Sequence, residues 1–398
     1  MDFALSNEQR DWQMTARKFA DEDIRPISLA RDAIPTAPET FDWEIVKKGS
    51  KLGFRTLAVP KEFGGHGTDF VTQALVMTEL ARADSAISKT FSQNWKWSHL
   101  ISHACTEEQK ARFLKPFVED DTFLLGKGIS EPSAGSDNRL PPADDPKAGL
   151  KLRAERQGNE WILNGEKCFI ANAPVGKLFF IYARTDPAAP LKQGTTMFLV
   201  PRDTPGFRIG KVFNKSGWRF YQNGEMIFEN ARVPHANVVG EVNGGARKAG
   251  GGGDDTTGGD IFGDLELCAN ALGICDDASQ TALRYARTTK QGGRYLFEQQ
   301  IVQLQINKMH MLTEALRSFV LRVAWEHDMK VRSPNAGLAM NYSTDVVQQV
   351  TELYMDVRGS DGCAMDHHAD KLVRDSIIWS HLAGDTVQRM KVARRLAR

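Results

Sequence analysis

The sequence predicts an α+β fold in three parts: an N-terminal helical domain (1–121), a central antiparallel β-domain (122–243) and a C-terminal four-helix-bundle domain (261–398), with a flexible glycine-rich loop (244–260) before the last. Three observations carry this reading. Apolar residues recur at helical spacing through the first part. Short β-rich runs punctuated by Gly, Pro and Asp replace them in the middle. Helical spacing returns after a stretch centred on Gly250-Gly251-Gly252-Gly253.

Each element has its own signal. Ser6-Asn7-Glu8-Gln9 reads as an N-cap ahead of Trp12, Ala16, Phe19 and Ala20. Val71 to Ala83 and Thr106 to Val118 are further amphipathic stretches, and Arg55 to Pro60 with Phe63 to Gly67 is a turn-rich connection. Trp161-Ile162-Leu163, Leu178 to Ala183, Thr196 to Val200 and Glu225 to Phe228 read as strands. Asn138 to Gly149, with Pro141, Pro142 and Pro146, reads as a long surface loop. Gly244 to Asp260 has no large apolar side chain to pack and is expected to be mobile. Ala269 to Ala286, Ile301 to Trp325, Val346 to Val357 and Trp379 to Leu396 predict the four C-terminal helices.

Composition sets the outer limits. The hydrophobic (41%) and charged (25%) fractions are those of a soluble globular protein, and a net charge of +1 gives no reason to expect a nucleic-acid partner. No apolar run is long enough to span a bilayer, and the N-terminus does not read as a signal peptide. Cys105, Cys168, Cys268, Cys275 and Cys363 are scattered, with no C-x-x-C pair, so neither a disulfide framework nor a zinc site is expected. A reduced, cytoplasmic setting follows. Asp366, His367, His368 and Asp370 invite a metal reading, but adjacent histidines do not share one helix face, and no metal is expected.

Two runs carry the chemistry. Ile129-Ser130-Glu131-Pro132-Ser133-Ala134-Gly135-Ser136-Asp137 resembles the I-T-E-P-G-A-G-S-D signature of the acyl-CoA dehydrogenase family. Leu163-Asn164-Gly165-Glu166-Lys167-Cys168-Phe169-Ile170-Ala171-Asn172 is similar to that family's N-G-x-K-x-W-I-T-N strand. Arg358-Gly359-Ser360-Asp361-Gly362 followed by Leu372-Val373-Arg374-Asp375 is similar to its C-terminal block. The resemblance covers nearly the whole chain in order of elements. It implies an FAD cofactor, which carries the electron chemistry while the protein orients it. By the resemblance, Ile129 and Ser130 contact the flavin edge, Ser136 contacts the cofactor or the CoA phosphate region, and Phe169 covers the ring. Gly135, Ala171, Gln291, Gln300, Gly359, Gly362 and Asp385 complete the implied cofactor set. Asn94 and Trp97 fall where the family's acyl pocket floor lies, with Leu382 and Ala383 on the other side.

Three departures stand against this. Ala171 replaces the Thr or Ser that donates to flavin N5. Thr289 stands where an Arg reaches the pyrophosphate across a dimer, leaving Arg287, Lys290 or Arg294 to supply the charge; Gly292 stands where Phe is expected. Ala383, or Leu382 by a second count, occupies the position of the catalytic Glu. Dehydrogenation needs a carboxylate to take the α-proton, so the base must lie elsewhere. Asp264 and Glu266 on the first long C-terminal helix are the leading candidates, with Asp260 and Asp385 behind them. Each also has a plain reading as a solvated acid at a helix end.

The resemblance therefore implies α,β-dehydrogenation of an acyl-CoA thioester with a branched or cyclic acyl group, with electrons passing to an electron-transfer flavoprotein. Two alternatives stay open: a desulfinase-like elimination on the same fold, and a non-catalytic subunit of a heteromeric dehydrogenase. A cofactor site shared between subunits implies a homodimer, a homotetramer or a heteromer.

Overall fold

The computed structural model describes residues 4–135, 145–191, 193–245, 261–331, 333–382 and 385–397. Ser136, Asp260 and Ala383, the side chain of Leu382, and nearly all of the glycine-rich loop lie outside the described residues.

The N-terminal part is helical. Ser6 caps α1 (Asn7–Phe19), its hydroxyl accepting from the Gln9 N–H while the Gln9 side chain accepts from the Ser6 N–H. A π-helical turn leads into α2 (Arg25–Asp32), and α3 (Trp43–Lys51), α4 (Phe70–Ala83), α5 (Ser85–Ala104), α6 (Glu107–Gln109) and α7 (Lys115–Glu119) follow. Asp84 separates α4 from α5. Its carboxylate caps α5 by accepting from the Ala86 and Ile87 N–H groups, and it also pairs with Lys371 at 3.1 Å.

Eight strands form one sheet: β1 (Leu125–Gly128), β2 (Arg153–Gln157), β3 (Glu160–Ala171), β4 (Leu178–Arg184), β5 (Thr195–Pro201), β6 (Phe207–Val212), β7 (Asn223–Pro234) and β8 (Val238–Val239). Their order is β6-β7-β3-β2-β4-β5-β8, with β1 beside β4. Most pairings are antiparallel, as the sequence predicts, but the sheet is mixed. β1 runs parallel to β4, and Arg153 of β2 pairs in parallel with Arg184. β1 enters from α7 and not through a hairpin, so no tight turn imposes antiparallel pairing on it. β4 is buried at every position. Leu178, Phe180 and Tyr182 pack with Trp97, Phe113 and Phe117, while Phe179, Ile181 and Ala183 pack with Trp161, Phe198 and Phe228 on the opposite face.

Among the described residues the C-terminal part holds five helices, the predicted last one being divided in two: α8 (Ile261–Thr288), α9 (Gln300–Asp328), α10 (Asn335–Arg358), α11 (His368–Leu382) and α12 (Thr386–Leu396). A small hairpin, β9 (Lys290–Gln291) with β10 (Arg294–Tyr295), links α8 to α9. The predicted helix from Trp379 to Leu396 is interrupted because Asp385 starts a new one: its carboxylate accepts from the Gln388 N–H at 2.8 Å. α8 crosses close to α4 at Gly273, where a Cβ would lie 2.5 Å from the Thr78 carbonyl oxygen.

Arg374 and Asp375 clamp the three parts together. Asp375 is fully buried and accepts from the Ser85 hydroxyl (2.9 Å), the Lys371 ammonium (2.7 Å) and the Trp218 N–H (2.7 Å). Arg374 pairs with Asp32 (2.6 Å) and Asp370 (2.8 Å) and donates to the Ser216 carbonyl (2.7 Å). Helix, sheet and bundle thus share one ionic joint.

Candidate active site

The Ile129-Ser130-Glu131 turn is built around a buried ion pair. Glu131 accepts from the N–H groups of Lys151 and Leu152 and from Lys167 Nζ at 2.6 Å. Burial pushes the Lys167 ammonium down to about 8, against the pull of Glu131. Lys167 Nζ also donates to the Ile129 carbonyl, and the Cys168 N–H donates to the Ser130 carbonyl. The turn is therefore pinned against the end of β3. The Ser130 N–H and hydroxyl make no hydrogen bond among the described residues, although the residue is half-buried.

β3 bulges between Lys167 and Ile170, and Phe169 sits at φ 55° with its side chain 59% exposed. A non-glycine residue in this region, with a large ring held outward, is unusual for a strand. Asn223 holds the bulge by donating to the Phe169 carbonyl at 2.9 Å, and Lys215 Nζ in turn donates to Asn223 at 2.6 Å. The Phe169 ring stacks on Phe213, with centroids 4.0 Å apart and planes 15° apart. Ala171 follows, half-buried, its carbonyl close enough to Gly126 that a Cβ there would lie 2.7 Å away. A flat aromatic wall beside an N–H and a hydroxyl fits the ring and polar edge of an isoalloxazine.

A second group of residues lies where α5 meets α8. Lys89, Gln93 and Lys96 recur on one face of α5 at i, i+4 and i+7. Glu266 of α8 pairs with Lys89, and both are buried. Burial drives the Glu266 carboxyl above its ordinary value, with the Lys89 charge opposing. Asp264 is buried beside it. The Tyr221 hydroxyl donates to Gln93 at 2.7 Å, and burial, then the nearby Glu266, raise it well above the phenol range. Lys96, only partly covered as a residue, has its ammonium pushed down to about 7 by burial and next by Lys127. Phe70, Gln73, Ala74, Trp95, Phe262, Leu265 and Glu266 line a small pocket at this seam.

Several expected residues are placed differently from the sequence reading. Asp264 (6% exposed) and Glu266 (9%) are not solvated helix-end acids but buried ones, because α5 and α4 cover the first turns of α8. Asn94 does not form a pocket floor. Its amide donates to the Thr90 and Phe91 carbonyls and its oxygen accepts from the Leu125 N–H, tying α5 to β1. Trp97 packs against Phe180 in the core, and Trp95 lines the pocket instead. Asp385 is occupied as the α12 cap. Gln291 and Gln300 are exposed, on and beside the β9–β10 hairpin, and Gly359 and Gly362 form a tight turn after α10. His368 pairs with Asp277 at 3.1 Å, not with His367, and the described residues hold no group of three or more metal-ligating side chains. Lys89, Gln93, Lys96, Lys127 and Tyr221 were not anticipated. The polar stripe at helical spacing in an otherwise buried α5 is the signal that marks the first three.

Comparison with known proteins agrees with this architecture throughout. The acyl-CoA dehydrogenase N-terminal, middle and C-terminal domains match residues 6–121, 126–231 and 263–397. The probable acyl-CoA dehydrogenase YngJ of Bacillus subtilis is 28% identical over the full length of both chains. Butyryl-CoA dehydrogenase from Megasphaera elsdenii superposes with a TM-score of 0.90 at 28% identity, covering 100% of each chain. A chain from a structure described as the electron transferring flavoprotein of Acidaminococcus fermentans gives a TM-score of 0.90 at 29% identity, again covering 100% of each. The chain belongs to the acyl-CoA dehydrogenase family and is an FAD-dependent oxidoreductase of that family.

Proposed function

We propose that this enzyme carries out α,β-dehydrogenation of an acyl-CoA thioester, with Glu266 as the base. The observation that carries this is a buried carboxylate, raised above its ordinary value, in the lining of the pocket between α5 and α8. A general base needs a pKa brought toward working pH and a place within reach of the proton it takes. Ile129 and Ser130 hold the flavin edge, and Phe169 with Phe213 walls its ring. Bound FAD supplies the acceptor for the hydride that leaves the β-carbon, and its electrons go on to an electron-transfer flavoprotein. The α-proton goes to the Glu266 carboxylate, and Lys89 holds that carboxylate in place and opposes the rise that burial imposes on it. Trp95, Phe70 and Phe262 give the pocket an aromatic lining.

Asp264 is a second reading for the base, because it is buried two residues before Glu266 and lies within charge reach of Lys96. Asp260 and Ala383 lie outside the described residues and take no part in this choice. The exposed hairpin carrying Gln291 and Arg294, beside an apolar stripe of Phe297, Ile301, Leu304 and Met311 on one face, supports a second copy completing the cofactor site. No helix among the described residues is long and apolar enough to cross a membrane, and the five cysteines are free, which supports a cytoplasmic setting.

Anaerobic mixing of the flavin-loaded enzyme with a panel of acyl-CoA thioesters tests the reading. Bleaching of the oxidised flavin by at least one thioester is expected. Glu266→Gln should abolish most of that rate while Asp264→Asn retains it. The reverse pattern assigns the base to Asp264, and no bleaching by any thioester with flavin bound removes the dehydrogenase reading.

A further inference from the structure

Lys215, on the segment between β6 and β7, joins the aromatic wall to the seam that holds the base. Its ammonium donates to the Asn223 side-chain oxygen and to the Tyr221 carbonyl, each at 2.6 Å. Asn223 in turn holds both members of the stacked pair. Its amide donates to the Phe169 carbonyl at 2.9 Å, and its own carbonyl accepts from the Phe213 N–H at 2.9 Å. Tyr221 leads the other way. Its hydroxyl donates at 2.7 Å to Gln93, which lies one turn of α5 from Lys89, the partner of Glu266. One ammonium thus stands where two chains of hydrogen bonds meet, one ending on the wall and the other beside the base.

This is an expensive position for a cation. Burial pushes the Lys215 ammonium down to about 7, against the pull of Asp375. Among the described residues no carboxylate hydrogen-bonds to it, and both of its acceptors are neutral. The Tyr221 ring, with its centroid 5.3 Å away, offsets only part of the lost hydration. A methionine would fill much the same space without that desolvation. What the ammonium adds is direction: charge-assisted donors fix two oxygens of separate residues at once. The bulge needs such support. Phe169 stands at φ 55°, a conformation that persists in a bulky residue only where its surroundings hold it.

We propose that Lys215 is a positioning residue of this site: through Asn223 it holds the stacked rings of Phe169 and Phe213 in place as the flavin wall, and through Tyr221 it keeps that wall in register with Glu266. The inference rests on the wall and the base assigned above and deepens that reading. Lys215 itself takes no part in the proton transfer and acts only through Asn223 and Tyr221.

The test follows the bound flavin as well as the reaction. Lys215→Met, Lys215→Gln, Asn223→Ala and Phe169→Ala are compared with wild type in the flavin-loaded enzyme. Far-UV circular dichroism reads folding, flavin-band circular dichroism reads the ring's surroundings, and ultrafiltration reads FAD retention. Lys215→Met should alter the flavin bands as Asn223→Ala does, and raise the FAD Kd about tenfold, the loss of one hydrogen bond. At saturating FAD its limiting bleaching rate should fall about tenfold, with the half-saturating thioester concentration little changed, because orientation is lost and not binding. Combining Lys215→Met with Asn223→Ala should loosen FAD no further than Lys215→Met alone, since both break one chain. Unaltered flavin bands in folded Lys215→Met, or in Lys215→Gln where the methionine variant does not fold, would overturn the proposal, as would additive loss of FAD in the double variant. Failure of both Lys215 variants to fold would also overturn it, by placing the residue among the ties of the fold. Phe169→Ala separates the two readings. Bands unaltered there would overturn the wall and the proposal together, while bands altered there but not in the Lys215 variants would overturn the proposal alone.

Discussion

The turn at 129–131 and the seam between α5 and α8 are both built on buried lysine–carboxylate pairs, yet they do different things. In the turn, Glu131 is saturated by Lys167 and two backbone N–H groups, and the pair pins the loop to β3. At the seam, Glu266 has its Lys89 partner but also faces a pocket. The first pair is closed on every side, and the second has a carboxylate in the lining of a pocket. The difference teaches that the motifs by which this chain resembles its family are largely scaffold. Glu131 and Asp375 hold the fold, while Glu266, the base proposed above, lies outside those motifs.

That contrast can be broken at either end. The largest effect is expected at the scaffold. Asp375→Ala removes a fully buried carboxylate, takes the acceptor from Ser85 and the Trp218 N–H, and leaves Lys371 with Asp84 alone. It should cost about 3–5 kcal/mol, read as a lower urea midpoint, with loss of flavin following from unfolding and not from chemistry.

Removing the partner at the seam should act on pH dependence. Burial raises the Glu266 carboxyl and Lys89 restrains that rise. In Lys89→Met the carboxyl should rise further, so the acid limb of kcat/KM moves to higher pH. The base works ionised, so activity falls as pH drops through the folded pKa, and the variant should begin to fall sooner. Stability moves the other way: with the folded pKa above the unfolded one, ionising Glu266 lowers stability as pH rises through that window. An acid limb that stays in place would separate Glu266 from the proton transfer.

Phe169→Ala tests the wall. The ring is mostly exposed, so its loss should change stability by no more than about 0.5 kcal/mol while flavin dissociates more readily, measured by ultrafiltration and absorbance. Asp385→Ala is the smallest change. Loss of the α12 cap should cost about 1 kcal/mol and leave bleaching rates within a factor of two or so, since a cap contributes to the helix and not to the proton transfer.

Local signals were legible in the sequence, and long-range ones were not. The α1 cap at Ser6, the stretch of α8 from Ala269 to Ala286 and the strand at Leu178 to Ala183 follow from spacing and hydrogen-bonding capacity within a few residues. The break at Asp385 escaped a periodicity reading because apolar residues keep helical spacing on both sides of it. The parallel pairing of β1 with β4 and the Lys89–Glu266 pair join residues far apart in the chain. Nothing local marks which charged residue of a helix will meet which. Asp264 and Glu266 are legible in the sequence as acids near the start of α8, but their burial depends on α4 and α5 covering that turn. The Phe169 bulge is likewise invisible in composition, because a strand-forming residue there gives no sign of its positive φ.

The most direct test of the central claim is single-turnover flavin bleaching by Glu266→Gln, at a flavin content equal to wild type and with the most reactive thioester. Loss of a general base predicts a rate lower by about 100-fold to 10,000-fold, with the oxidised flavin spectrum retained. Bleaching at the wild-type rate would contradict the assignment of the base to Glu266.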